Sequence, residues 1–367
     1  MLTRLYANNF RCLVNFEMTF NPLVLLAGPN GGGKTTVFEL LYKIQRLILE
    51  NAKVGELFLS QDRTAWLNQD DQTFEIEVQG EHGHYGYKLV VGHRADYQKQ
   101  YIRFEQLLHD NRPLYEFKQG SVTLFSKDSF SKTEYAFFPS MSALSTIVGR
   151  DDNREVTWFK DWFCRLFIIG IQPLTIRSET FEETDRLDRQ ASNFASWYRY
   201  ISQEYQDRIF HLIQELRRVI PGFQGFKLEQ AGKSRILKVG FGQEDRTGAT
   251  VYFDFEQLSA GQQVMIVLYS LLLGLKSLRF SIFLDDPENH LAIAEIQPWL
   301  MELSDICGET DSQAVLISHH PELVDYLGPE CGQWIERDPL GPCRIKAFPK
   351  QIEPGLKLSE QMARGWS

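Results

Sequence analysis

GPNGGGKTT, residues 28–36, fits a phosphate-binding loop, with Gly28, Gly33, Lys34 and Thr35 at the fixed positions. An apolar run, Leu23 to Ala27, precedes it and reads as a short buried strand. A helical pattern follows, with Val37, Leu40, Leu41, Ile44 and Ile48 on one face. Strand, glycines and helix in that order are the context the motif requires. Gly31, Gly32 and Gly33 let the backbone turn its N–H groups toward a phosphate chain, and the helix N-terminus adds favourable partial charge. Lys34 is expected to reach the terminal phosphates, and the Thr35 hydroxyl to hold a magnesium ion.

Outward from the loop, residues 2–8 and 14–20 alternate as strands, with Asn-Phe-Arg between them. From Thr73 to Pro139 short aromatic and β-branched runs alternate with turns, which predicts an antiparallel sheet beside the core. Glu155 to Cys164 reads as a helix and LFIIGIQ as a strand; residues 177–190 read as an exposed or mobile connection. One helical pattern runs from Ala191 to about Ile220, where Pro221-Gly222 stops it. Strands are expected near 226–229, 235–241 and 249–255. The helix from Ser259, buried strands at 281–286 and 314–318 and a helix over 293–306 complete an α/β alternation. The boundaries expected are 1–175 for an N-terminal lobe, 176–248 for a helical insert with connecting strands, and 249–367 for a C-terminal lobe.

With 367 residues, 43% hydrophobic and 24% charged, the chain has the composition of a globular protein with a sizeable core. Its net charge of −9 argues against a protein that coats nucleic acid by bulk charge. Five scattered cysteines, with no C-x-x-C pair, read as reduced core thiols. No apolar leader opens the chain, and Val264 to Leu275 is too short to span a bilayer, so a cytoplasmic protein off the membrane is expected.

Three further stretches share the loop's chemistry. LSAGQQ, Leu258 to Gln263, opens an apolar helix and offers an anion site of little bulk at Ser259, Ala260 and Gly261. Ser-x-Gly in that position is equally an ordinary N-cap. SIFLDDPENHL, Ser281 to Leu291, ends an apolar strand in Asp285, the Walker B arrangement that sets a carboxylate beside Mg²⁺. Asp286 and Glu288 follow as candidates to polarise the attacking water. LISHHPEL, Leu316 to Leu323, delivers Ser318, His319 and His320 to the carboxyl end of a strand, where ligands sit in α/β sheets.

In this order the motifs resemble an ABC-type ATPase of the RecF/SMC/OLD-like branch. The opening NNFRCLVNFEMTFNPLVLLAGPNGGGKTT and the stretch Asn193 to Ser196 are similar to that branch too. The resemblance implies a P-loop NTPase head with an antiparallel β subdomain and a short helical insert, ATP and Mg²⁺ as cofactors, and an ATP-dependent homodimer. Nucleotide contacts are implied at Arg11, Asn30, Gly31, Gly33, Lys34, Thr35 and Thr36, with Ser259, Gly261 and Gln262 reaching a γ-phosphate in trans. Metal contacts are implied at Thr35, Asp285 and Gln172, and catalytic roles at Asp286, Glu288 and the switch histidine His319. Asp286 stands where relatives commonly carry Glu, and its shorter side chain changes how a water is held. Ala292 stands where relatives often carry Asp or His.

The role implied is an ATPase acting in DNA repair or anti-phage defence. The alternative is a regulatory subunit that holds or releases a separate nuclease or toxin effector without touching DNA. Lys99, Arg103, Arg112, Lys118, Lys127 and Lys132, within Tyr97 to Lys132, form either a nucleic-acid face or a solvated sheet edge. DNA binding is expected to be weak and to need the closed dimer. About 45 residues follow His320, too few for a nuclease domain, so no nuclease activity is expected.

Overall fold

The computed structural model describes residues 1–94, 99–125, 132–242, 250–275, 279–348 and 357–363. The chain forms two compact units, residues 1–166 with 323–367, and residues 167–322. The C-terminal strands after residue 323 belong to the first unit.

In the first unit, eight strands among the described residues form an antiparallel sheet in the order 16–19, 2–8, 71–80, 83–94, 99–109, 112–118, 121–125 and 132–136. The two opening strands therefore begin this sheet rather than standing apart from it. Its buried face carries a carboxylate: Glu105 accepts from Tyr87 and Tyr115 at 2.7 Å each and from Ser142 at 2.6 Å. The P-loop strand, Leu23–Ala27, runs parallel to Gly332–Arg337, which pairs in turn with Cys343–Ala347. Neither C-terminal strand was expected from the sequence.

The Asn-Phe-Arg stretch is a junction between these layers. Asn9 accepts from the Thr64 N–H at 3.0 Å and donates to the carbonyls of Gln69 at 2.9 Å and Asp71 at 3.0 Å. Phe10 packs edge-on against Phe58 and Phe74. Gln72 donates to Asn9 O at 2.9 Å and accepts from buried His93 Nε2 at 2.8 Å. Burial, with the Arg63 charge adding to it, pushes His93 down to about 4. The unfolded chain takes up a proton near pH 6.5 that the folded chain refuses until about pH 4. Stability is therefore expected to fall by about 2–3 kcal/mol as pH drops across that window. Urea unfolding at pH 7.5 and 4.5 checks this, since His93→Gln keeps a donor for Gln72 but cannot titrate. Equal losses in both proteins would acquit His93.

In the second unit, Ser281–Asp285 and Gln313–Ile317 are parallel neighbours, buried except at Asp285, with Asp285 level with Ile317. Buried parallel strands read as continuous apolar runs, which is why both were visible in the sequence. The helix Ala260–Leu275 is buried along Gln263–Leu275 and receives Trp299 Nε1 on the Leu268 carbonyl at 2.9 Å. The helical pattern of 191–220 is two helices, Phe194–Glu204 and Gln206–Val219, broken at Tyr205 (φ −132°, ψ 58°). The 177–190 connection is pinned: Asp188 accepts from the Gln190, Ser192 and Asn193 N–H groups, and Glu179–Thr180 pairs with Arg235–Ile236. Among the described residues no helix is long and apolar enough to cross a membrane. Of the cysteines, Cys12, Cys307 and Cys343 are buried, Cys331 is half-buried and Cys164 is exposed, which corrects the all-core expectation for the last two.

Candidate functional site

The P-loop takes its shape from what lies behind it. Gly28 has φ 151°, and a Cβ there would stand 1.9 Å from the carbonyl oxygen of Ile335 on the neighbouring strand. Gly33, with φ 104°, caps the helix Lys34–Leu49, and its missing Cβ would meet Cys343 Sγ at 2.4 Å and Cys12 Sγ at 3.1 Å. Glycine is required at both places by conformation and by space. The two thiols face the same missing Cβ, and their proximity pulls the Cys12 thiol down and pushes the Cys343 thiol up. Cys343 N–H donates to Cys12 O at 2.9 Å, so the last strand and the Asn-Phe-Arg junction grip the loop from behind.

Lys34 is buried, and its Nζ donates to the carbonyls of Gly28 at 2.8 Å and Pro29 at 3.0 Å. Asn30, Gly31 and Thr35 are exposed and Thr36 half-buried, with Thr36 Oγ1 3.8 Å from Cys12 Sγ. Arg11 lies on the flank of the P-loop helix. Its Nη2 donates to Glu39 at 2.7 Å and its Nε to Asp62 at 2.9 Å, and Lys43 joins Asp62 at 2.6 Å. This cluster holds the Asp62 carboxyl below the usual range despite its burial.

The second unit gathers most of the remaining candidates. The chain turns sharply after Asp285: Asp286 takes a left-handed φ of 48°, and its N–H donates to Ile317 O at 3.0 Å. Asn289 N–H returns to Asp286 O at 3.1 Å and Leu291 N–H to Glu288 O at 3.0 Å. This folds Glu288 under the turn, where it is 7% exposed. Its carboxylate accepts from the Ser318 hydroxyl, and Ser318 Oγ accepts from His320 N–H at 3.0 Å. Burial raises the Glu288 pKa; the Ser318 bond opposes that, the Asp286 charge adds to it, and His320 opposes it. Asp286 Oδ1 and Glu288 Oε2 are buried and receive no hydrogen bond among the described residues. His319 is exposed, whereas His320 Nδ1 accepts from Glu322 N–H at 3.3 Å.

The signature stretch meets the same turn. Ser259 and Gln262 cap the helix reciprocally, with Gln262 N–H to Ser259 Oγ at 3.3 Å and Ser259 N–H to Gln262 Oε1 at 3.1 Å. A Cβ on Gly261 would come within 2.8 Å of the His290 carbonyl. Gln172 precedes a short turn, Pro173–Thr175, with its side chain exposed. Two residues before it, Gly170 lies against Asp285, where a Cβ would stand 3.5 Å from the Asp285 Cβ. The structure thus brings Asp286, Glu288 and the loop of His319 together through hydrogen bonds and sets Gly261 against the same turn, while Gln172 follows two residues after Gly170, which lies against Asp285. Ser318, Ile335 and Cys343 had no assigned role in the sequence; Ser318 at least stood inside a motif.

Residues 23–325 match a family model described as "AAA domain, putative AbiEii toxin, Type IV TA system". The chain belongs to this family. It is of the ABC/AAA type, in the RecF/SMC/OLD-like branch. An OLD nuclease of Thermus scotoductus is 46% identical over 41 residues, which are 11% of this chain and 8% of that protein. The match thus spans less than a tenth of that relative's length. Among solved structures, an SMC head bound to the C-winged helix domain of ScpA superposes with a TM-score of 0.51 at 12% identity, covering 99% of both chains. An SMC head domain from Thermotoga maritima gives 0.47 at 12% identity, covering 95% of this chain and 99% of that one. The fold of this AAA-family chain is that of an ABC-ATPase head.

Proposed function

We propose that the chain is an ATP-binding and ATP-hydrolysing switch that closes as a homodimer around nucleotide. The observation that carries the reading is the P-loop itself, a loop shaped by glycines at positive φ with a buried lysine ammonium drawn over it. Its N–H groups and Lys34 would receive the phosphates, with Asn30, Gly31, Gly33 and Thr36 completing the cradle. Thr35, Asp285 and Gln172 would each supply a hard oxygen donor of the kind that suits Mg²⁺, which when bound neutralises phosphate charge. Asp286 and Glu288 would accept a proton from the attacking water, and His319 would face the γ-phosphate. Arg11 would act at one remove, by fixing the P-loop helix through Glu39.

Ser259, Gly261 and Gln262 would serve the partner's nucleotide. Ser259→Arg gives up the Oγ cap, at a cost of about 1 kcal/mol, and adds a bulky cation at an exposed position; it is expected to abolish ATP-dependent dimers, as light scattering with a slowly hydrolysed ATP analogue would show. A dimer indifferent to both nucleotide and substitution would defeat the sandwich.

The biological role follows the same switch, in DNA repair or anti-phage defence. The reading in which the dimer instead holds or releases a nuclease or toxin gains from charge. In the candidate basic segment Arg103 is paired with Asp71 and Arg112 lies 3.9 Å from Glu155. Lys99 and Lys118 are exposed; Tyr97, Lys127 and the Lys132 side chain lie outside the described residues. In the same samples, salt-sensitive duplex binding by the closed dimer would favour DNA, and its absence the effector.

A further inference from the structure

We propose that Ser318 is a positioning residue for ATP hydrolysis: its hydroxyl holds the Glu288 carboxylate in place and ties it to the strand end that carries His319. The inference deepens the ATPase reading above and rests on it.

Three observations converge on that hydroxyl. Ser318 is 1% exposed and stands directly after the strand Gln313–Ile317. It donates to Glu288 Oε1 and accepts from His320 N–H at 3.0 Å, so one oxygen joins the turn after Walker B to the loop that bears His319. Glu288 Oε2 is left buried without a partner. A carboxylate under a turn with one oxygen buried and unpartnered is a costly arrangement for folding alone. A glutamine or an apolar residue would fill that place more cheaply. Local rules are broken in this way chiefly where function requires it.

The chemistry fits the second oxygen. Ser318 occupies Oε1 and restricts the rotamer, leaving the Oε2 lone pairs for a proton. The carboxyl, lifted by burial and by the Asp286 charge, with His320 opposing, is a stronger proton acceptor than an exposed one. In the hydrolytic step the water oxygen bonds to phosphorus, the bond from phosphorus to the bridging oxygen breaks, and the water proton passes to the carboxylate. Because the same Ser318 oxygen receives His320 N–H, a shift of the 318–320 loop would also release Glu288. Readiness of the carboxylate and placement of His319 become one event.

The test is a double-mutant cycle in the full chain, reading kcat and KM for ATP. S318A is expected to lower kcat by 10- to 100-fold with KM changed less than threefold, and S318T to stay within threefold of wild type. In an E288M background, S318A is expected to cost no further activity. A further tenfold loss in that background, or an unchanged kcat in S318A alone, would overturn the proposal and leave the ATPase reading standing. A wild-type chain that binds ATP but does not turn it over would overturn the ATPase reading, and the positioning role of Ser318 with it. Urea midpoints of wild type, S318A, E288M and the double variant report the contact without turnover: the shift caused by S318A should shrink in E288M. An equal shift in both backgrounds would show that Ser318 does not hold Glu288.

Discussion

Lys34→Ala is expected to weaken ATP binding by roughly 10²–10³-fold, about 3–4 kcal/mol, within the range for removing one partner of a buried hydrogen-bonded charge contact. The ammonium is placed for this. Lys34 is 5% exposed, at the first turn of the P-loop helix, and its Nζ is held over the loop by the Gly28 and Pro29 carbonyls at 2.8 and 3.0 Å. Contacts from an ammonium to phosphate oxygens are charge-assisted on both sides and stronger than those to neutral carbonyls, so an arriving triphosphate gains by engaging Lys34. Alanine removes the cation and leaves the backbone N–H groups, so residual binding should persist at high nucleotide concentration. Isothermal titration with a slowly hydrolysed analogue measures the loss. Unfolding in urea should change little beside it, because the helix and the strand behind the loop keep their contacts. Equal affinity in the two proteins would remove Lys34 from the site and, with it, the main support for the switch.

What the sequence displayed follows from burial and from range. Leu23–Ala27, Ser281–Asp285 and Gln313–Ile317 are parallel strands with apolar interiors, and unbroken apolar runs ending in Gly28, Asp285 and Ser318 are legible without any partner. The helix after Gly33 is legible because its buried positions recur at helical spacing. The strands Gly332–Arg337 and Cys343–Ala347 were missed because the first is mostly half-buried, the second mostly exposed, and both mix polar and charged residues with apolar ones. Their meaning depends on a partner about 300 residues earlier. The helix break at Tyr205 was missed because apolar positions continue across it and no Gly or Pro marks it. Side-chain partnerships were the least visible. Nothing near Arg11 in the sequence announces Asp62, and nothing near Glu288 announces Ser318, thirty positions later. The motifs therefore fixed which residues carry charge to the loop ends, while their hydrogen-bond partners emerged only from the fold.

Gly28→Ala is expected to be the most destabilising single methyl that can be added to this loop. The new Cβ would lie 1.9 Å from the Ile335 carbonyl oxygen and 3.0 Å from its carbon, and neither belongs to a flexible side chain that can swing away. Relief requires the P-loop strand and Gly332–Arg337 to separate, although they are locked in parallel register at Leu25, Leu26 and Ala27. The φ of 151° adds backbone strain for any residue with a Cβ. Overpacking and strain of about 1–3 kcal/mol each sum to a large part of the roughly 5–15 kcal/mol that holds a domain folded. Gly31→Ala is the internal control. It also sits at positive φ, 77°, but a Cβ there meets nothing within 4 Å, so it should cost only about 1–2 kcal/mol. Thermal and urea unfolding of the two variants separate space from conformation. Gly28→Ala should unfold far earlier than Gly31→Ala, or accumulate poorly as folded protein. Equal midpoints would mean that the strand behind the loop yields easily, and the C-terminal strands would then lose their assignment as the rigid backing of the phosphate cradle.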